Sequence, residues 1–528
     1  MKAKPIQLLI PMSGQGNRYR QAGYQEPKPL IPVNGVPMIS RLLENFPQSW
    51  PSVFVMAENH KNTELPPLLA KCRPQGKQIF IEPHSLGPGF AALKGLESLD
   101  PELPVFLSYC DYGMVWDSAR FTHFVEDTQC DACVVSYRGY HAHYRSPLQY
   151  AYSRLEGERV VEIKEKGSFT SHREQEFASS GGYYFKSAKL LKKAIEYQRA
   201  QNLQLNGEYY SSLTVEALLR MDSQAHVRVF EIPGFFQWGT PEDLQVFEYW
   251  EKSLKGYNRF LGQPRPQVQQ VLMPMAGLGS RFTSVAAHPK PFISVAGSPM
   301  YRRALETLPQ APNTVLVSLE SVKSYLSEVK EKIVWLKETP SGQALSTEKG
   351  LVGLNKKEEV LVSSCDHGIV LDPQTWEKFK TQSDCDAAIF TIRGYPGAKS
   401  RPQAFAYVET TGKELFPEVK RVSVKVPLSS EPSKDALLVG TFWFKSAEIL
   451  AHGIDEIKKQ EKRVNGELYL DSLFEVLIAQ GLRVREIPLE GYLCWGDPDS
   501  LSEALYWQEI FCGYQIDIRS RFPGVEKV

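Results

Sequence analysis

Residues 9–18 read Leu-Ile-Pro-Met-Ser-Gly-Gln-Gly-Asn-Arg, and residues 272–281 read Leu-Met-Pro-Met-Ala-Gly-Leu-Gly-Ser-Arg. Each stretch is an apolar run that breaks into a G-x-G turn, with Arg18 or Arg281 two residues past the second glycine. A Pro-Lys-Pro triplet centred on Lys28 or Lys290 follows each. Glycine turns are common, so the loop alone decides little. A buried strand running straight into one, however, leaves backbone N–H groups lining a concave anion site. A guanidinium there can hold phosphate oxygens bidentately, and flanking prolines stiffen the loop that presents one ammonium. A single lysine between prolines would read as a solvated surface residue. Its return beside the same loop favours a phosphate grip. Gly14, Gly16, Gly277 and Gly279 are therefore candidate nucleotide-binding positions, and Arg18, Lys28, Arg281 and Lys290 are candidate catalytic groups.

The echo continues in order along the chain. Tyr109-Cys110-Asp111 answers Ser364-Cys365-Asp366, Arg138-Gly139-Tyr140 answers Arg393-Gly394-Tyr395, and Phe185 to Ala188 returns as Phe444 to Ala447. Asn206-Gly207-Glu208-Tyr209-Tyr210 returns as Asn465-Gly466-Glu467-Leu468-Tyr469, and Gln237-Trp238-Gly239 as Cys494-Trp495-Gly496. A repeat this long is domain duplication rather than a solenoid. The glycines, prolines and polar residues of 253–269 suit a linker, which puts the domains at 1–262 and 268–528.

The 528 residues carry 61 basic and 61 acidic side chains, so no global charge recommends nucleic acid or an anionic membrane as partner. The apolar run at 6–12 is too short for a membrane span or a signal-peptide core and reads as a buried strand. Eight cysteines are dispersed, most within apolar runs, which suggests buried thiols in a reducing cytoplasm. Cys130 and Cys133 form a lone C-x-x-C with no second pair at zinc spacing.

Strand-like runs at 7–12, 52–57, 78–81, 105–108 and 132–136 alternate with helical stretches at 38–45, 89–97 and 119–127. The second half repeats the strands at 270–275, 314–318, 334–337, 360–363 and 387–391. Such alternation predicts a three-layer α/β domain with a mainly parallel sheet, whose ligands sit at the carboxyl ends of the strands. Asp111 and Asp366 each follow an apolar strand there. A carboxylate in that place is a cap or a Mg²⁺ ligand. Beside a phosphate cradle the metal is favoured, because Mg²⁺ takes one or two carboxylates and completes its shell with phosphate and water.

Taken together, these features resemble the sugar nucleotidyltransferases, or NDP-sugar pyrophosphorylases, as two copies spanning essentially the whole chain. That family carries a G-x-G-x-R loop, a Pro-Lys-Pro lysine, a strand-end Asp for Mg²⁺, a Glu-Lys-Pro segment and then G-x-Y-x-F. This sequence has Glu165-Lys166-Gly167 and Gly181-x-Tyr183-x-Phe185 at the last two places. The resemblance implies two tandem Rossmann-like domains of the GT-A type with mainly parallel mixed sheets. It also implies a reaction in which NTP and a sugar 1-phosphate give NDP-sugar and pyrophosphate with Mg²⁺, commonly to supply polysaccharide precursors. Arg18 would stabilise the leaving pyrophosphate, Lys28 the α-phosphoryl group, and Glu165, Lys166 and Gly181 would bind the sugar phosphate. Gly87 and Gly342 would lie near the nucleobase, with Glu82 and Glu338 close to its edge.

Two departures stand out. Where many members carry a second metal-binding Asp, this chain has Gln237 and Cys494. Glu208 and Glu467 are candidate substitutes, although a carboxylate near a helix start is also placed there by the dipole. Where the first half has Glu165-Lys166, the second has Val424-Lys425, and valine cannot accept from sugar hydroxyls. Lys425 remains a candidate substrate-binding residue. Alternatives to two working transferases are a cytidylyltransferase acting on a non-sugar phosphate such as phosphocholine, and a second half that only binds nucleotide sugar and regulates the first. A glycosyltransferase would want an Asp-x-Asp motif at the central strand, which Asp111-Tyr112-Gly113 and Asp366-His367-Gly368 do not supply, and nothing in the sequence fixes the base, the sugar or the oligomeric state.

Overall fold

The computed structural model describes residues 5–141, 149–283, 286–412, 414–463 and 466–513. The chain forms two compact units, the first ending at Glu248 and the second beginning at Tyr249.

In the first unit the strands of the main sheet are β1 (Gln7–Met12), β2 (Ser52–Ala57), β3 (Lys77–Ile81), β4 (Val105–Ser108), β5 (Ala132–Tyr137), β6 (Tyr152–Glu156), β7 (Arg159–Lys164), β8 (Phe177–Phe185) and β9 (Val227–Glu231). The sheet runs β7-β6-β8-β4-β1-β2-β3, and β5 joins β8 to β9. β1 is parallel to β2 and β4, β2 to β3, and β5 to β9, while β8 is antiparallel to β4, β5 and β6. Side chains alternate across the sheet, as the period of two demands. Leu8, Ile10 and Met12 enter one core with Ile39, Leu42, Leu69 and Phe121 of the helices Met38–Glu44, Leu65–Cys72 and Ser118–Thr128. Leu9 enters the other with Ala92, Leu191 and Val215 of the helices Pro88–Leu96, Ala188–Ala200 and Ser211–Met221. The result is the expected helix–sheet–helix sandwich.

The second unit repeats the plan with β10 (Gln270–Pro274), β11 (Asn313–Leu319), β12 (Lys332–Leu336), β13 (Val360–Ser363), β14 (Ala387–Ile392), β15 (Ala406–Thr411), β16 (Glu418–Val424), β17 (Ala436–Phe444) and β18 (Val484–Pro488). Its order is β12-β11-β10-β13-β17-β14-β18-β16-β15, with β17 also paired to β15. Both sheets are mixed, and every strand and helix expected from the sequence lies within a residue or two of its predicted place. The exception is the stretch at 253–269. It is helical as far as Phe260, in the helix Pro241–Phe260, where a polar linker was expected. Gly256 and the polar residues misled that reading, because packing routinely overrides propensity.

One glycine in each unit records how closely helix meets sheet. A Cβ on Gly95 would lie 2.4 Å from Leu9 Cδ1, and one on Gly350 would lie 2.4 Å from Leu272 Cδ1. Alanine gains about 1 kcal/mol of helix propensity, but overpacking costs roughly 1–3 kcal/mol. Because branched side chains from two strands crowd Gly95, the clash wins. Gly95→Ala is expected to lower the melting temperature measured by calorimetry; a raised one would show the strands yield.

Candidate active site

β1 ends at Met12 and residues 13–16 turn away from the sheet into the short helix Asn17–Gln21. Gly16 and Gly279 have φ of 63° and 64°, a left-handed conformation that favours glycine. Space gives a second reason. A Cβ there would lie 3.3 Å from Lys28 Cβ and 2.5 Å from Lys290 Cβ, so the lysine stem rests on the second glycine of each loop. Gly14 and Gly277 have nothing within 4 Å of that position. Lys28 opens the 3₁₀ turn Lys28–Leu30, capped by Pro27, and Lys290 opens the matching turn Lys290–Phe292 after Pro289.

The two lysines find the two aspartates. Lys28 Nζ donates to Asp111 Oδ2 and, at 3.2 Å, to the Gly239 carbonyl. Trp238 N–H donates to the Asp111 carbonyl at 2.9 Å, and the Tyr19 hydroxyl donates to the carbonyls of Trp238 (2.7 Å) and Thr240 (3.0 Å). The glycine loop, the lysine turn, the strand-end aspartate and the late Trp-Gly segment are thus tied at one point. In the second unit Lys290 Nζ donates to Asp366 Oδ2 at 2.6 Å, and His367 Nδ1 lies 3.7 Å from Asp366 Oδ1. Burial disfavours the charge on Asp366, but the Lys290 ammonium and the His367 ring outweigh it and hold the carboxyl well below the usual carboxylate range. Burial likewise works against the Lys290 charge, and Asp366 more than restores it. Arg18 and Arg281 are exposed, and Arg18 lines the cavity.

That cavity, of about 890 Å³, is lined by Gly14 and Lys28 and also by Glu165, Lys166 and Glu208. Glu165 follows β7 directly and accepts from the Ser212 hydroxyl at 2.5 Å. Burial pushes its carboxyl up to about 7, with Ser212 and Lys166 pulling the other way and Glu208 adding to the rise. Lys166 sits at φ 51°, donates to the Tyr210 hydroxyl at 2.9 Å and stands 4.9 Å from the Tyr210 ring centre. Gly181 lies at the register shift of β8, where the Tyr109 ring takes the place a side chain would need.

Gly87 and Gly342 are held by the chain itself. A Cβ on Gly87 would lie 2.9 Å from Tyr209 N, and one on Gly342 would lie 2.6 Å from Leu468 N. The N–H of the second residue of each following helix, Pro88–Leu96 or Gln343–Gly350, donates to the carbonyl of that same residue, Gly89 to Tyr209 and Ala344 to Leu468. Glu208 stands beside Gly87 and in the field of Glu165; the residue that meets Asp111 is Lys28. Glu467 is exposed and adjoins Leu468, while Asn465 lies outside the described residues. Glu82 is exposed and Glu338 is exposed; in the first unit His84 and Ser85 line the cavity instead. The Ser13 hydroxyl and His84 Nε2 are 2.9 Å apart at the loop.

The aspartate end suits Mg²⁺ in its chemistry. Asp111 is partly open to solvent, and a Cβ on Gly239 would lie 3.4 Å from its Oδ2 and 3.9 Å from Asp243 Oδ2. Gln237 Oε1, nearby in sequence, is buried without a hydrogen-bond partner. Asp243 accepts from Gln237 Nε2 at 2.6 Å and from Thr240 Oγ1 at 2.8 Å, while its N–H donates to Thr240 Oγ1 at 3.1 Å, so Thr240 caps the helix Pro241–Phe260 and Asp243 braces that cap from the first turn. No cluster of three or more His, Cys, Asp or Glu side chains suited to a metal occurs among the described residues. A hard cation here would rest on one or two carboxylates and borrow the rest from a ligand, the habit of Mg²⁺.

Sequence reasoning missed Ser13, His84, Ser212 and the two tyrosines under the lysines. Tyr210 and Tyr469 lie inside a repeated motif, so the signal for them was present. Ser212 had none, since its counterpart in the second half is Asp471. The eight cysteines are free, five of them buried, and no helix among the described residues is long and apolar enough to cross a membrane.

A duplicated α/β fold with a strand-end glycine loop and a lysine–aspartate pair at its mouth defines a nucleotidyltransferase. Residues 8–172 and 272–428 each match the MobA-like NTP transferase domain, more than half of the chain together. The chain belongs to that family and carries its domain in tandem. Among solved structures it is similar to a nucleoside-diphosphate-sugar pyrophosphorylase from Vibrio cholerae RC9, at 17% identity and a TM-score of 0.38, over 46% of this chain and 99% of that one. It is also similar to the inositol-1-phosphate CTP transferase from T. maritima, at 13% identity and a TM-score of 0.36, over 46% of this chain and 98% of that one. No curated protein matches the chain.

Proposed function

We propose that the first unit joins an NTP to a sugar 1-phosphate, forming an NDP-sugar and pyrophosphate for surface polysaccharide or glycan synthesis in the cytoplasm. We keep 1–262 and 268–528 as the limits of the two domains. The observation that carries this reading is that the glycine loop with Lys28 and the Glu165 carboxylate line one and the same cavity. An oxygen of the acceptor phosphate attacks the α-phosphorus, a P–O bond to it forms, and the bond to the β-phosphate oxygen breaks. The acceptor is already anionic near neutral pH, so no general base is needed. What the protein must supply is position and charge.

The loop amides and Arg18 bind the β- and γ-phosphates and stabilise the departing pyrophosphate. Lys28, held by Asp111 and the Gly239 carbonyl, presents its ammonium to the α-phosphoryl group where charge develops. Asp111 would hold Mg²⁺, with Asp243 near enough to help; the ion, when bound, neutralises phosphate charge. Lys166, steadied by Tyr210, receives the acceptor phosphate, and Glu165 accepts from its hydroxyls. The test is pyrophosphate release by the Lys290→Ala chain from four NTPs against a panel of sugar 1-phosphates. Release with none of them would sink the proposal.

The Glu165 carboxyl gives a pH signature. Sugar hydroxyls donate to the ionised form, so acceptor KM should rise up to about tenfold per unit as pH falls below about 7. The NTP KM should change far less. Glu165→Gln should flatten this dependence; a profile identical to the parent would assign it to the acceptor's own phosphate.

The second unit keeps the phosphate end and changes the acceptor end. Val424 replaces Glu165, which favours a different acceptor there over a second copy of the same reaction.

A further inference from the structure

We propose that Asp471 is the acceptor-binding carboxylate of the second unit, replacing Glu165 by a positional exchange with the partner of Glu165. The inference rests on the transferase reading above and extends it to a site where the aligned residue is apolar.

Two lysines fix the correspondence. Lys425 sits at φ 60°, donates to the Tyr469 hydroxyl at 3.2 Å and stands 4.9 Å from that ring centre, as Lys166 does with Tyr210. Such a shared left-handed lysine over a shared tyrosine leaves no freedom of register. Val424 then stands where Glu165 stands, and Asp471, two residues past Tyr469, stands where Ser212 stands. In the first unit those two positions touch, since Ser212 donates to Glu165 at 2.5 Å. Moving the carboxylate from one member of the pair to the other therefore keeps it within the same small volume. Glu/Ser has become Val/Asp.

The state of Asp471 agrees with this. Burial pushes its carboxyl up to about 6, against the pull of its own backbone N–H and of the Lys425 ammonium. Among the described residues no side chain donates to it, and its own backbone N–H is the one donor it has. A half-buried carboxylate so placed keeps lone pairs to offer, and acceptor hydroxyls would take them. The surrounding wall has also changed. β8 places Tyr183 opposite Leu107, and β17 places Phe442 opposite Val362 at the same station. Where the Tyr109 ring crowds Gly181 in the first unit, Ser364 leaves Gly440 in ordinary contact, with its Oγ at 3.4 Å from the place of a Cβ. The second unit would thus take a phosphomonoester with hydroxyl donors for Asp471 and a bulkier body than the first unit admits, its phosphate on Lys425.

The test uses the full chain carrying Lys28→Ala, so that release of pyrophosphate reports the second unit. The probes are the four NTPs with hexose 1-phosphates, N-acetylhexosamine 1-phosphates, inositol 1-phosphate and phosphocholine. Release dependent on a hydroxylated member is expected. Adding Asp471→Asn, which keeps size and shape, should raise KM for that acceptor at least tenfold and leave KM for the NTP and the melting temperature unchanged. Val424→Glu with Asp471→Ser should bring the acceptor KM back. An unchanged acceptor KM, a loss the double variant leaves uncorrected, or no release with any hydroxylated probe overturns the proposal. The Lys290→Ala chain, run alongside, reports the first unit, so failure here is distinguishable from failure of the transferase reading.

Discussion

Lys28→Ala lowers turnover by the first unit roughly 10²–10³-fold, the usual loss when one preorganised donor to a developing charge is removed. The size follows from how little freedom the ammonium has. Its stem rests on Gly16, its turn is bounded by Pro27 and Pro29, and its head is held by Asp111 and the Gly239 carbonyl. A donor already fixed in a shielded site costs no reorganisation during the reaction. Lys28→Arg should recover little, because a planar fork cannot follow the path of a compact ammonium. Lys290→Ala should do the same to the second unit while sparing the first. Pyrophosphate release by each single variant decides the matter. A Lys28→Ala chain with the parent rate removes Lys28 from the chemistry. A Lys290→Ala chain whose only change is weaker binding of a nucleotide sugar would make the second unit a regulator.

Asp111→Asn should be nearly as damaging, with a different signature. It deletes the carboxylate proposed to hold Mg²⁺ and frees Lys28 of its counter-ion. Turnover should fall about 100-fold, and the Mg²⁺ concentration needed for half-maximal rate should rise. The fold should hardly notice. The side chains of Lys28 and Asp111 retain 20% and 23% exposure, so the pair is worth only about 1 kcal/mol. A fallen rate with an unmoved Mg²⁺ requirement would assign Asp111 to holding Lys28 alone. The second pair is more strongly held. A carboxyl kept below its ordinary value stabilises the fold fully above the unfolded pKa of about 4, and that contribution declines as pH falls from there until it is gone below the depressed folded value. The Lys290–Asp366 pair should accordingly persist in acid that protonates ordinary carboxylates.

Much of this was written in the sequence because the signals are local. A run such as 105–108 can only be a buried strand, and a G-x-G that follows a strand can only turn. What was not legible is whatever closes over distance. Nothing in Pro-Lys-Pro says that Lys28 rests on Asp111; that contact exists only once β1 and β4 are neighbours. The helix Pro241–Phe260 was hidden by Gly256 and by polar residues that look like a linker when their packing is unknown. Glu208 was offered to the metal because it recurs, whereas its recurrence accompanies the segment that seals Gly87 and Gly342. The exchange of Ser212 and Glu165 for Asp471 and Val424 was invisible for a different reason. Position-by-position comparison scores it as two losses, while in space it conserves a charge.

A single open reading frame that holds both sheets imposes a fixed stoichiometry. However strongly the message is translated, each transferase-family unit is born with the other, so expression cannot tilt the balance between them.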